Sequence, residues 1–123
     1  MGEKFALEME GKQMRESELH FADEELKKAF EKLKGSTTEE KMLYEWLSKA
    51  FSDIEKNAFC GIQIPKKLIP KEYAKKYEIR NLWKYNLPGA WRLLYSIEGR
   101  DVKIISIVLE WLDHKNYERK FKY

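Results

Sequence analysis

Cysteine occurs once in this chain, at position 60, so no intrachain disulfide framework can form and a reducing compartment is the default expectation. Long apolar runs are missing too. The best of them, "IISIVL" at 104–109, falls far short of the ~18 residues that a membrane span requires. The opening "MGEKFALEMEG" is acidic and lacks the apolar core of a signal peptide, and Ala6 stands where a myristoylation signal needs Ser or Thr. A cytoplasmic protein without membrane contact is therefore expected. Histidine is nearly absent: His20, His114 and Cys60 offer no spacing that would hold zinc. There is no glycine-rich phosphate loop and no defensible Ser/His/Asp arrangement, so neither a metal nor a cofactor is expected.

Charge is abundant, and it is unevenly placed. Residues 1–57 hold 10 Lys/Arg against 14 Asp/Glu, a balance of −4, whereas residues 58–123 hold 14 against 7, a balance of +7. A basic half of this kind suits contact with a polyanion; a surface dense in lysine and glutamate is the competing explanation. At 123 residues the chain is long enough to bury one core.

Periodicity predicts two helices in the acidic half. In "ADEELKKAFEKLKG", Leu26, Ala29, Phe30 and Leu33 recur at helical spacing, with Asp23 as N-cap and Gly35 as stop. "TTEEKMLYEWLSKAFSDIEKNA" follows, with Thr37 and Glu40 as a capping box and a stripe of Leu43, Leu47, Ala50, Phe51 and Ile54. The short "KGST" link folds the two into an antiparallel hairpin. A strand at about 17–21 precedes them. Beyond Phe59, Pro65 and Pro70 forbid a long helix, and Pro70 is placed to start a short one at 71–77. Three strand-like runs then follow: "NLWKYNL", "AWRLLYSI" and "DVKIISIVLEWL", separated by "PG" and "EGRD". The expected fold is α+β: a helical hairpin on an antiparallel meander of about four strands, with a short C-terminal helix. Residues 17–123 form the single domain; residues 1–16 are an extension or an extra strand.

The order β-α-α-β-β-β, with Gly89 followed by Trp91-Arg92-Leu93-Leu94-Tyr95 and a closing His114-x-x-Tyr117, resembles the RelE/ParE superfamily of prokaryotic toxin–antitoxin systems. The specific part of the likeness is confined to residues 82–121. That resemblance implies a small basic toxin that either cleaves mRNA on the ribosome or binds and inhibits gyrase. It also implies a cognate antitoxin as partner, and a homodimer stays open. The 59–81 connection and the N-terminal extension depart from the pattern.

A metal-free ribonuclease needs a base for the 2′-OH, cations for the phosphorane and an acid for the leaving oxygen. Arg92, set in an apolar strand, suits bidentate contact with phosphate, and Lys84 across the "PG" turn would be a second cation. Whether the two share a face depends on hairpin register. His114 is the only histidine of the basic half, the side-chain type suited to proton transfer; Tyr117 lies one helical turn on. The competing reading makes Tyr117 and Phe121 the apolar stripe of a terminal helix. Arg119, Lys120, Lys66, Lys67 and Lys71 are the expected contacts to RNA phosphates.

Overall fold

The structure, a computed structural model, describes residues 16–100 and 103–121. Of the predicted extension or extra strand at 1–16, residues 1–15 lie outside the described residues. In chain order the elements are β1 (Glu18–Phe21), α1 (Glu24–Leu33), α2 (Thr38–Lys56), β2 (Ile62–Ile64), α3 (Lys71–Tyr77), β3 (Leu82–Asn86), β4 (Arg92–Arg100), β5 (Lys103–Leu112) and α4 (His114–Phe121). The fold is α+β, with four helices and one five-stranded sheet among the described residues. No helix of the described residues is long and apolar enough to cross a membrane.

Local chemistry starts the helices where the sequence places them. The Asp23 carboxylate accepts from the Leu26 amide at 2.8 Å, and the Thr37 hydroxyl accepts from the Glu40 amide at 3.3 Å. Each satisfies an amide that the first helical turn leaves without a partner. Pro70 sits one residue earlier than expected, as the cap rather than the first residue of α3.

The sheet runs β1-β5-β4-β3-β2. It corrects the expected antiparallel meander of about four strands in two ways. First, β1 pairs parallel to β5, Glu18 opposite Ile105, so the sheet is mixed. The α1–α2 hairpin carries the chain away from β1, and the later strands bring β5 back beside it in the same direction. Second, the 59–81 connection contributes β2, which pairs antiparallel with β3 through Ile62–Lys84, Gln63–Trp83 and Ile64–Leu82. A three-residue strand ended by Pro65 is too short to leave a period-two signature. In addition, β4 runs on through Glu98 and Gly99, which the sequence assigns to a turn.

Both faces of the sheet are covered. On one, Leu43, Leu47, Ala50, Phe51 and Ile54 of α2 pack against Leu93, Tyr95 and Val108. The stripe predicted for α1 is only partly engaged: Leu26, Phe30 and Leu33 are half-buried and Ala29 is exposed. Phe30 stacks on Tyr44 with ring centroids 4.6 Å apart, and Trp46 rests against Gly89, so neither α2 aromatic forms an open apolar stripe. On the other face, α3 and α4 bring Tyr73, Tyr117 and Phe121 onto Ile64, Leu82, Leu94 and Leu109.

A β-bulge shapes that second face. Leu94 and Tyr95 are opposite Glu110 and Val108, so Leu109 is left between them. The extra residue turns Leu109 and Glu110 to the same side. Gly61 is equally constrained. A Cβ there would lie 2.6 Å from the Lys84 carbonyl oxygen and 2.6 Å from the Tyr95 hydroxyl. Gly61→Ala is expected to cost about 1–3 kcal/mol, because one of the two contacts is backbone and cannot swing aside. Urea unfolding of the variant beside the wild type measures this.

Three buried or half-buried tyrosines tie the layers together. Tyr85 donates to the Asp53 carboxylate at 2.5 Å, linking β3 to α2. That bond, helped by Lys49, holds Asp53 below the usual carboxylate range. Burial, reinforced by the same bond, pushes the Tyr85 phenol up to about 12. Burial raises Tyr73 and Tyr95 as well. A phenol raised in the folded state stabilises fully below the unfolded tyrosine value of ~10 and loses that contribution as pH climbs through its folded value. Unfolding free energy is therefore expected to fall between about pH 10 and 12, with a shallower fall in Tyr85→Phe; equal slopes in the two proteins would remove Tyr85 from the account.

Candidate active site

Register places two cations on one face. Lys84 of β3 is opposite Leu94, and Arg92 of β4 is opposite Asn86 on β3 and Leu112 on β5. Leu94 belongs to the core beneath α3 and α4, so Lys84, directly across from it, and Arg92, two residues along, face the same helices. Tyr117 stands between them. It is 3% exposed, and its ring packs against Phe121. Lys84 Nζ and the Arg92 guanidinium carbon each lie 5.3 Å from the centre of that ring, and Lys84 Nζ donates to the Tyr117 hydroxyl at 3.3 Å. Both cations gain from the electron-rich ring face.

Neither cation pairs with a carboxylate among the described residues. Arg92 Nη1 donates only a long bond, 3.4 Å, to the Trp91 carbonyl, and Arg92 Nε is buried with no hydrogen-bond partner. A buried guanidinium N–H without an acceptor is costly, and a bound anion would relieve it.

The helix that supplies Tyr117 is set by Asp113. Its carboxylate accepts from the Asn116 amide at 2.9 Å, which makes His114 the first residue of α4. His114 is solvent-facing, with 60% of its side chain exposed, and its Nε2 pairs with Glu118 one turn on. His114 and Tyr117 thus share a helix but not an environment: one is open, the other enclosed. Of the expected RNA contacts, Lys66 and Lys67 are exposed in a 3₁₀ turn after β2, Lys71 is exposed at the start of α3, and Arg119 is exposed on α4. Lys120 is differently placed. It pairs with Glu110 at 2.8 Å and Glu72 at 3.7 Å, and lies 4.9 Å over the Tyr73 ring.

Sequence reasoning missed Glu110, the node of this second group. It accepts hydrogen bonds from the buried Tyr73 hydroxyl and from Lys120, joining α3, α4 and β5. Strict alternation along β5 would not place Leu109 and Glu110 on one side; the bulge does. The signal available was a single acid between Leu109 and Trp111 in an otherwise apolar run. Glu110→Ala is expected to destabilise by about 2–4 kcal/mol, since it strands a buried hydroxyl and removes a charged partner. A thermal melt beside Tyr73→Phe/Glu110→Ala, where the hydroxyl is gone as well, should show partial recovery.

The site therefore presents two cations on an aromatic platform, unpaired with any carboxylate among the described residues, and an exposed imidazole–carboxylate pair on the same short helix. Guanidinium and ammonium groups so placed have the chemistry to attract an anion. The described residues contain no cluster of His, Cys, Asp or Glu suited to a metal ion. No family model, no curated protein and no solved structure matches the chain.

Proposed function

We propose that this protein is a metal-independent endoribonuclease that cleaves mRNA in the manner of RelE-like toxins, acting within the ribosome and restrained by a cognate antitoxin. The observation that carries this reading is the pair Lys84 and Arg92, both over the Tyr117 ring and both without a carboxylate partner among the described residues. Two such cations stabilise the extra negative charge of a pentacovalent phosphorane more than that of the ground-state diester. The helices on this face, α3 and α4, also carry Lys71, Lys75, Lys76, Lys115 and Arg119, a positive surroundings suited to an RNA backbone.

In this reading Arg92 and Lys84 hold the scissile phosphate. His114 transfers the proton, with Glu118 orienting its ring. Tyr117 is the platform that positions the two cations rather than a proton donor, because it is enclosed. His114→Ala is expected to lower cleavage about 10²–10⁴-fold without changing the melting temperature appreciably. Controlled expression with primer extension on cellular mRNA tests the reading: growth arrest with new mRNA ends, lost in His114→Ala, supports it.

A gyrase-directed binding toxin of the ParE kind is the second reading, favoured by the separation of exposed His114 from enclosed Tyr117. Growth arrest without new mRNA ends would select it. No arrest from well-folded protein would leave an inactive member of the same fold.

A further inference from the structure

Independently of any catalysis, β2 closes the sheet with an edge that carries exposed apolar side chains and is flanked by positive charge. Its position at the end of the strand order leaves its outer side without a strand among the described residues. The turn that leads into it is pinned from inside. The buried Tyr95 hydroxyl donates to the Ala58 carbonyl at 2.7 Å and accepts from the Gly61 amide at 3.1 Å, while the Asn57 side chain accepts from the Phe59 amide at 3.0 Å. Such an edge is held ready rather than assembled on demand, which lowers the ordering cost of pairing.

Three of the four exposed large apolar side chains among the described residues lie here: Phe59 at 47%, Ile62 at 52% and Leu68 at 43%. Phe59 meets Trp83, whose side chain packs toward α2, whereas Ile62 shares the face of Lys84 and Ile64. The edge thus offers apolar contact above and below the plane of the sheet. A strand shielded simply by being short would not need these side chains. At its far end the chain passes through Pro65 to exposed Lys66 and Lys67. Two such edges paired about a two-fold axis would run antiparallel, so that a pairing centred on Gln63 sets each Lys66 and Lys67 beside the other copy's Cys60 and Phe59, with no acid there. An occupant with acids at that end satisfies the lysines better than a second copy does.

We propose that the outer edge of β2 binds an extended segment of another protein, apolar at its centre and acidic where it passes Lys66 and Lys67. Backbone hydrogen bonds to β2 supply the affinity; Phe59, Ile62 and the two lysines supply the selection.

Cys60, the only cysteine and exposed beside the edge, allows the test on the full chain. Two synthetic thiol-bearing peptides share one apolar centre and differ only in glutamate or lysine at the end. They compete for disulfide capture at Cys60 in a thiol buffer. The glutamate peptide is expected to be captured about tenfold more than the lysine peptide. That preference should invert in Lys66→Glu/Lys67→Glu and shrink in Ile62→Ser, and capture should slow amide exchange within Ile62–Ile64. Equal capture of the two peptides, or capture without slowed exchange, would overturn the proposal. Self-association of the full chain abolished by Ile62→Ser would overturn it in favour of a second copy.

Discussion

Arg92→Ala is expected to reduce mRNA cleavage by about 10²–10³-fold, a loss on the same scale as that expected of His114→Ala. Arg92 begins β4 with its guanidinium over Tyr117, its Nε unsatisfied and, among the described residues, no carboxylate paired with it. Removing it takes away one of the two cations over the Tyr117 ring, and it also removes a buried unsatisfied group. Stability should therefore be nearly unchanged or slightly higher, which separates the loss from misfolding. Arg92→Lys should recover only part of the activity, because an ammonium cannot hold two phosphate oxygens in the planar fork of a guanidinium. Primer extension on mRNA after pulse expression reads the cleavage, and a thermal melt reads the fold. Full cleavage by Arg92→Ala would take the cation pair out of the mechanism.

Leu47→Ala should have the largest effect on stability, about 2–5 kcal/mol, or on the order of 10 °C in melting temperature. Leu47 is wholly buried where α2 crosses the sheet, among Leu43, Phe51, Leu93 and Tyr95. Leu26→Ala, on the corresponding stripe of α1, should cost only about 1 kcal/mol, because α1 buries no residue fully. Chemical unfolding of the two variants side by side checks the contrast; similar losses would mean that α1 is packed as tightly as α2.

That contrast marks how far periodicity reaches. Leu26, Phe30 and Leu33 repeat as regularly as Leu43, Leu47 and Ile54, and both stripes are legible in the letters. Spacing tells which side of a helix is apolar, but not how much protein lies against it. The candidate site divides in the same way. Arg92, Lys84, His114 and Tyr117 could each be singled out by residue type and neighbourhood. Their convergence could not, because one residue of register slip would have sent Lys84 to the opposite face.

The sequence by itself determined the local elements: the capped starts at Asp23 and Thr37, the short helix after Pro70, and the β-branched and aromatic runs of the last three strands. These follow from interactions within a few residues, which the order of side chains specifies directly. Only the tertiary structure decided that β1 lies parallel to β5, that Ile62–Ile64 adds a fifth strand, and that a bulge at Leu109 turns Glu110 toward Tyr73 and Lys120. It likewise decided that Tyr117 lies enclosed beneath two cations while His114 stays open to solvent. Each of these depends on pairing between segments far apart in the chain. Such pairing is selected by the packing of whole faces, which no local pattern records.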